Sequence, residues 1–157
     1  MQKITPCLWF DGKAEEAMNF YTSIFKNSKV GNVTRYGEAG PGESGSIMTA
    51  TFEIEGQEFM ALNGGPMFKF SPAISFIVHC KTQEEVDDFW AKLLEGGAPQ
   101  QCGWLTDKFG VSWQIVPTIL VEMMQDKDAE KTERVMQAIL KMVKLDIKVL
   151  KQAYEQG

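Results

Sequence analysis

The two segments that decide the fold are "CLWFDGKAEEAMNFYTSIF" (Cys7–Phe25) and "FIVHCKTQEEVDDFWAKLL" (Phe76–Leu94), which align without a gap at a constant offset. In both, an apolar stretch leads through a polar turn into apolar residues spaced at i, i+3, i+4 and i+7. That spacing indicates an amphipathic helix. Glu15-Glu16 aligns with Glu84-Glu85 at the start of each helix. The alignment predicts an internal duplication of a strand followed by a helix.

Three strand candidates follow each helix, so each half of the repeat has the order βαβββ. We expect α+β modules at residues 1–64 and 72–117. Since neither half can bury both faces of its sheet alone, two curved sheets should pack into one domain over residues 1–117. The candidate strands are Lys29–Tyr36, Ile47–Ile54, Gln57–Asn63, Gln100–Cys102, Trp104–Thr106 and Val111–Val116.

Residues 118–157 have a different pattern and are predicted to be a C-terminal helical extension. Ile119–Gln125 forms a short helix, and Asp128 is a suitable N-cap for the next one. Val135, Ile139 and Met142 then make one helical stripe. The stripe must cover an apolar surface, either on its own domain or on a dimer mate.

Composition excludes several classes of partner. The chain has 157 residues, about one domain, and is 44% hydrophobic. A net charge of -5 argues against nucleic acid or an anionic membrane as a partner, since both require a basic surface.

Three cysteines without C-x-x-C spacing favour reduced thiols. With no signal-peptide pattern and no apolar run near ~18 residues, the expected location is cytoplasmic.

Five stretches resemble the PhnB-like branch of the vicinal oxygen chelate superfamily, which includes glyoxalase I, bleomycin-resistance proteins and extradiol dioxygenases. They are "ITPCLWFDGKAEEAMNFYTSIF", "GQEFMALNGGP", "SFIVHCKTQEEVDDFW", "CGWLTDKFGVSWQIVP" and "VMQAILKMVKLDI". The resemblance implies paired βαβββ modules around an open, glyoxalase-like cup, usually in a homodimer. This branch is often labelled a ubiquinone-pathway methyltransferase. The chain nevertheless lacks a G-x-G-x-G turn between its first strand and helix.

In metal-using members of the superfamily, four side chains inside the cup hold a divalent ion. The resemblance places Pro6, Ser75 and Gln114 at three of these positions, and Met60 or Leu62 near the other. Proline and leucine cannot coordinate through their side chains, while serine and glutamine are weak neutral donors. We therefore expect neither a metal ion nor another cofactor.

Strand alternation fills the expected cup with apolar side chains and a few polar ones, the usual composition of a small-molecule site. The alternative is a filled core in which Gln114 bonds a backbone group. The expected ligand pocket comprises Leu8, Phe10, Met60, Leu62, Ser75, Ile77, His79 and Gln114.

Three functions fit this pattern. The first is a metal-independent protein that binds a small, partly apolar molecule. The second is a metal-dependent enzyme of the glyoxalase or dioxygenase type with His79, Gln114 and Asn63 as its metal ligands. His79, the only histidine, is considered separately as a general base, the alternative being an exposed polar residue at a strand end. The third is a methyltransferase that binds S-adenosylmethionine. Because each module leaves an unpaired sheet edge, we also expect a homodimer.

Overall fold

The computed structural model describes residues 1–156 and divides them into two compact units, Met1–Phe70 and Ser71 onward. Within the described residues, no helix combines the length and the apolar character needed to cross a membrane. The strands are β1 (Cys7–Phe10), β2 (Ser28–Arg35), β3 (Ile47–Ile54), β4 (Gln57–Asn63), β5 (Ser75–Cys80), β6 (Ala98–Pro99), β7 (Trp104–Thr106) and β8 (Ser112–Pro117). The helices are α1 (Ala14–Ile24), α2 (Gln83–Leu94), α3 (Thr118–Met124), α4 (Ala129–Ile139) and α5 (Ile147–Glu155).

The first unit is a four-stranded sheet with strand order β1-β4-β3-β2 and helix α1 on one face. β1 runs parallel to β4, and the other neighbours are antiparallel. Tyr21 of α1 stacks on Phe52 of β3 with ring centroids 6.2 Å apart, and Phe52 stacks on Phe59 at 5.6 Å. All three rings are buried, so the core of this unit lies between α1 and the sheet.

The end of β4 fixes the start of α1. The side-chain oxygen of Asn63 accepts a hydrogen bond from the backbone N–H of Ala14 at 2.9 Å, and its amide nitrogen donates to the Ile47 carbonyl at 3.2 Å. The amide therefore satisfies one of the N–H groups that a helix leaves unpaired at its first turn. Lys13, the residue before the helix, makes no such side-chain bond.

The second unit repeats this plan, with strand order β5-β8-β7-β6 and α2 on one face. Thr82 caps α2, since its hydroxyl accepts from the N–H of Glu85 at 3.1 Å. Val86, Trp90 and Leu93 point into the core from successive turns of the helix. Gly96 follows the helix with φ +75°, the left-handed conformation of a glycine that ends a helix.

A buried carboxylate forms the hairpin between β7 and β8. Asp107 is 2% exposed, and it accepts hydrogen bonds from the backbone N–H groups of Phe109 and Val111 and from the indole N–H of Trp113. Gly110 completes the turn with φ +92°. Asp107 has a structural role because its donors lie within the hairpin.

The strand predicted at Gln100–Cys102 is wrong. The strand in this region is β6, a two-residue element at Ala98–Pro99 that pairs with β7. Residues 101–103 form a turn instead, and Cys102 and Gly103 both have left-handed backbones, with φ of 63° and 85°. Such dihedral angles end strand pairing.

The last three helices belong to the second unit and share a core of their own. Their core joins Leu120 and Met123 of α3 to Val135 and Ile139 of α4, and it also includes Leu145 and Leu150. Asp128 caps α4 by accepting from the N–H of Glu130, which confirms that prediction.

The connection between α4 and α5 is tied to the second unit at two places. Gln83 of α2 donates to the Leu145 carbonyl at 3.0 Å and accepts from the Ile147 N–H at 2.7 Å. The N–H groups of Cys102 and Gly103 donate to carbonyls of residues 142 and 143. The predicted α+β class and the two βαβββ modules are confirmed, while the division of the chain at residue 117 stays a prediction.

Candidate functional site

The face of the second sheet that α2 does not cover carries all four pocket residues predicted for this module. We call it the open face. Backbone pairing fixes which side chains share it, because paired residues on neighbouring strands point to the same side. Ile77 pairs with Gln114, which in turn pairs with Trp104. The open face consists of Ser75, Ile77, His79, Ala98, Trp104, Thr106, Ser112, Gln114 and Val116.

Gln114 and Ser75 form a hydrogen bond on this face. The side-chain nitrogen of Gln114 donates to the Ser75 hydroxyl oxygen at 2.9 Å. Gln114 is half-buried, and it bonds a side chain. The filled-core alternative expects it to bond a backbone group instead. Its amide oxygen and second N–H are also polar groups that can bind a ligand.

Trp104 lies beside Gln114 and is not among the pocket residues predicted from the sequence. Its indole is half-buried and makes no hydrogen bond or ring contact within residues 1–156. On the other side of Gln114, Ile77 is 49% exposed. The amide therefore stands between two accessible apolar surfaces. The period-2 alternation of "WLT" places Trp104 and Thr106 on one face, and this pattern was sufficient to predict that the indole belongs to the site.

Ser112 adds a buried hydroxyl to the same face. It pairs with Ser75 on one side and Thr106 on the other, and it is 1% exposed. Its hydroxyl oxygen has no hydrogen-bond partner within the described residues. A buried polar atom without a partner is uncommon. The hydroxyl groups of Ser75, Thr106 and Ser112 and the amide of Gln114 are all uncharged, so the centre of this face is polar without being charged.

His79 lies at the end of β5, where it pairs with Val116 and is exposed. Within residues 1–156, its imidazole has no hydrogen bond that would orient it. A general base needs a fixed position relative to the proton it takes. The structure gives His79 a place on the open face without that orientation.

Two of the predicted pocket residues, Leu8 and Phe10, are on the opposite side of the first sheet from Met60 and Leu62. Backbone pairing joins Cys7 to Met60 and Trp9 to Leu62, so those four side chains share a face. Leu8 and Phe10 are 8% and 3% exposed and belong to the core on the α1 side. The prediction that they join Met60 and Leu62 is wrong.

The connection between strand and helix explains the error. The helices of the two modules bury aligned residues, such as Tyr21 and Trp90. Before α1, however, Gly12 has φ +75°, whereas no left-handed residue precedes α2 between β5 and Gln83. The turn at Gly12 shifts β1 by one position relative to its helix. Because side chains alternate along a strand, a shift of one residue exchanges its two faces.

The uncovered face of the first sheet carries both apolar and polar side chains. Cys7 lies there next to Met60 and is exposed as a residue. Its thiol is nevertheless partly shielded from water, and this desolvation raises the pKa of the thiol. Trp9 is partly covered by the following loop, since its ring meets Phe68 edge-on at 4.9 Å and its N–H donates to the Gly65 carbonyl at 2.8 Å. Strand pairing also places Thr49, Thr51, Glu53 and Glu58 on this face, so it carries carboxylates beside its apolar side chains.

The donor set does not fit a divalent metal ion. Residues 1–156 contain no group of three or more His, Cys, Asp or Glu side chains placed to hold one. Ser75 and Gln114 bond each other, and Asn63 is engaged at the start of α1. Pro6 contributes its backbone carbonyl to the Met60 N–H. Neutral hydroxyl and amide donors without a carboxylate or imidazole ligand bind such ions weakly.

Comparison with known proteins agrees with this fold. The family model for 3-demethylubiquinone-9 3-methyltransferase matches residues 2–116. The PhnB protein from Bacillus cereus is 47% identical over 74% of this chain and 99% of its own, with a TM-score of 0.68. A comparison with curated proteins gave no match.

More distant structures share the fold alone. PA1353 from Pseudomonas aeruginosa is 22% identical over 74% of this chain and 98% of its own, with a TM-score of 0.61. The fosfomycin resistance protein FosX from Listeria monocytogenes, solved with Mn(II) and sulfate, is 15% identical over 73% of this chain and 92% of its own, with a TM-score of 0.53. The chain therefore belongs to the PhnB-like family described as 3-demethylubiquinone-9 3-methyltransferase, and its fold is that of the vicinal oxygen chelate proteins.

Proposed function

We propose that the protein binds a small, uncharged and partly apolar molecule on the open face of the second sheet, without a metal ion. The observation that carries this proposal is the Gln114–Ser75 hydrogen bond, which lies next to both Ile77 and Trp104. An amide can hold a carbonyl or hydroxyl group of the ligand. The neighbouring indole and aliphatic side chain supply apolar contact.

The absence of charge on this face favours a neutral ligand. No Asp, Glu, Lys or Arg is among the residues that define the open face, and His79 is at its end. A charged ligand would lose water without gaining an opposite charge, which is costly. A neutral ligand with one or two oxygen atoms would bond Gln114 without this cost.

The two alternative functions make different demands on the protein. A metal-dependent enzyme of the glyoxalase or dioxygenase type needs about three strong ligands, and the donors described above are weak and neutral. A methyltransferase, as the family description suggests, must bind a methyl donor. The β1–α1 turn, Asp11–Lys13, contains a single glycine and lacks the glycine-rich loop typical of dinucleotide-type sites.

Non-denaturing mass spectrometry of untagged protein purified gently from its own host tests the proposal. We expect an added mass of a small organic molecule that survives treatment with EDTA and is lost in Gln114→Leu. The matched control is Gln101→Leu, because Gln101 is exposed in the turn outside the open face. This control should retain the added mass.

Each alternative has its own contradicting result. Stoichiometric zinc, nickel, iron or manganese in elemental analysis, lost together with any activity in Gln114→Ala, would favour the metal enzyme. Saturable binding of S-adenosylmethionine in calorimetry would favour the methyltransferase. Either result would contradict metal-independent binding of a neutral molecule as the main function.

A further inference from the structure

Gln100 extends the open face beyond the end of β6. It is the residue after this strand, and its backbone N–H donates to the Trp104 carbonyl at 2.9 Å, so it continues the pairing of β6 with β7. Its side-chain nitrogen donates a hydrogen bond to the hydroxyl oxygen of Thr106, a residue of the open face. The half-buried side chain of Gln100 therefore lies over the same face as Gln114.

Gln100 and Gln114 occupy equivalent positions on either side of Trp104. Gln114 pairs with Trp104 from β8, and the backbone bond of Gln100 places that residue opposite Trp104 on the side of β6. Each amide nitrogen donates to a hydroxyl group on a neighbouring strand, that of Thr106 for Gln100 and that of Ser75 for Gln114. The open face thus carries two amides held in the same manner, with the strand of the indole between them.

The two amides are separated by two strand spacings. β7 lies between β8 and β6, and neighbouring strands are about 4.8 Å apart, so the backbones of Gln100 and Gln114 are about 10 Å apart. Both side-chain hydrogen bonds lead towards the β5 side of the sheet, because Thr106 is on β7 and Ser75 is on β5. Since the amides are displaced in the same direction, their separation stays close to that of the backbones.

Each amide keeps hydrogen-bonding groups for a ligand. A glutamine side chain has two N–H donors and an oxygen acceptor, and Gln100 and Gln114 each use one N–H. Within residues 1–156, neither side chain has a second hydrogen-bond partner. A hydrogen bond of about 3 Å at each end of a span of about 10 Å leaves about 4 Å between the polar groups of the ligand, the scale of one six-membered ring.

We propose that the open face binds a flat, uncharged six-membered ring that carries a hydroxyl, carbonyl or amide group at each of two opposite edges. Gln100 bonds one edge, Gln114 bonds the other, and the ring stacks on the Trp104 indole between them. This assignment of Gln100 rests on the proposed function, to which it adds the opposite placement of the ligand's polar groups. A ring with both polar groups on one edge would leave one of the two amides without a partner.

The probe is 4-hydroxybenzamide, an aromatic ring with a hydroxyl and an amide at opposite edges. It is titrated into the full chain by calorimetry in the presence of EDTA at about pH 6, where a phenol is uncharged. The matched ligand is 2-hydroxybenzamide, which has the same atoms with both groups on one edge. The 4-isomer should bind at least about fivefold more tightly than the 2-isomer, because it makes one more hydrogen bond.

Variants locate the second amide. Gln100→Leu should reduce the preference for the 4-isomer to less than about twofold, because the hydrogen bond that distinguishes the isomers is lost. Both isomers are measured on the same variant, so a general loss of folded protein does not change their ratio. Gln101→Leu is the matched control, since Gln101 is exposed in the adjacent turn, and it should keep the preference.

Trp104→Leu tests the stacking surface. It should weaken binding of both isomers by about fivefold or more, because the aromatic contact of the ring is lost. Circular dichroism checks that this variant is folded.

Four results would overturn the assignment of Gln100. The two isomers bind the wild type equally, or the 2-isomer binds more tightly, or Gln100→Leu keeps the preference, or neither isomer binds at millimolar concentration. Failure of the proposed function is a different result, namely host-purified protein that carries no small molecule. If that protein carries a molecule that is lost in Gln114→Leu but kept in Gln100→Leu, the proposed function stands and the role of Gln100 is wrong.

Discussion

The amide nitrogen of Gln114 lies 2.9 Å from the hydroxyl oxygen of Ser75 and donates a hydrogen bond to it between β8 and β5, two neighbouring strands of the second sheet. The bond holds the amide, so the polar group has a fixed position on the strand next to Trp104. Such fixed positions reduce the entropy lost when a ligand binds. The proposed function therefore depends on Gln114 more than on any other side chain.

Gln114→Leu should weaken binding of the host-derived ligand by about 1–3 kcal/mol, the usual cost of leaving a ligand's polar group unpaired. The fold should be retained, because the amide bonds the Ser75 side chain and not the backbone. The checks are calorimetry with the recovered ligand and urea unfolding. A variant that unfolds while Gln101→Leu stays stable would identify Gln114 as a structural hydrogen-bonding residue.

Gly103→Ala should destabilise the protein more than Gly12→Ala, although both glycines have left-handed backbones. Left-handed φ costs an alanine about 1–2 kcal/mol at either position. At Gly103 the new Cβ would also lie 2.9 Å from Cγ of Leu145, which is buried, whereas nothing lies within 4 Å of a Cβ at Gly12.

Urea denaturation measures both glycine variants. We expect Gly103→Ala to lose at least about 1 kcal/mol more of the free energy of unfolding, because overpacking adds to the backbone strain. Equal losses in the free energy of unfolding would mean that Leu145, in the connection between α4 and α5, does not pack against the turn at residues 101–103.

The contact between Tyr154 and Asp126 should make docking of α5 depend on pH. The Tyr154 hydroxyl donates to the Asp126 carboxylate, which lowers the pKa of Asp126 and raises the pKa of Tyr154. Because the pKa of Asp126 is lowered, its contact adds stability at pH values above the ordinary carboxyl pKa near 4, and this stability is lost as the pH falls through the pKa of Asp126 in the folded protein. Because the pKa of Tyr154 is raised, its contact adds stability at pH values below the ordinary tyrosine pKa of about 10, and this stability is lost as the pH rises through the pKa of Tyr154 in the folded protein.

Thermal unfolding of wild type and Asp126→Asn between pH 3 and pH 11 tests this dependence. The difference in Tm should be largest across the neutral range and should shrink at both ends. In a Tyr154→Phe background, the Asp126→Asn substitution should change the Tm less, because the hydroxyl donor is gone and only the bond from the Asp128 N–H and the charge of Lys131 still act on Asp126. A Tm difference that stays constant over the whole range would show that the contact contributes nothing in solution.

The fold could be read from the sequence because burial imposes a period on each element. The strands Ile47–Ile54, Gln57–Asn63 and Trp104–Thr106 have the predicted bounds, and the helices bury the predicted stripes. Residues 100–103 could not be assigned in the same way. Their left-handed turn is stabilised by hydrogen bonds to residues 142 and 143, far away in the chain. Such tertiary contacts leave no local pattern.

The candidate site could be predicted only in part, and for a physical reason. Ser75, Ile77, His79 and Gln114 share one face because an unbroken strand alternates strictly. Leu8 and Phe10 were assigned by carrying the alignment of the helices back through the turn at Gly12. A repeat in sequence keeps the helix pattern without keeping the number of residues that the turn takes up, so strand faces do not follow from the alignment.

A homodimer is expected because β2 is an open edge. It is the last strand of the first sheet, and all its residues except Ser28 are exposed, including Val30 at 54% and Val33 at 39%. Exposed apolar edge strands are usually covered by a partner. Light scattering at micromolar concentration should give about twice the 17.6 kDa of one chain.

A charge on this edge should disfavour pairing, so Val33→Lys should shift the protein towards the monomer. Ser23→Lys is the matched control, because Ser23 is an exposed residue of α1 and lies outside the β2 edge. This control should leave the mass unchanged. A wild type that is monomeric at micromolar concentration would contradict the expectation.

The measurement that tests metal-independent binding most directly is a crystal structure of protein purified from its host and treated with EDTA. We predict density for a small organic molecule that contacts the Trp104 indole and has an oxygen atom within hydrogen-bonding distance of the Gln114 amide, about 3 Å. The contradicting result is a metal ion coordinated by Gln114, or an open face on which Gln114 bonds Ser75 alone while mass spectrometry of the same protein finds no bound molecule.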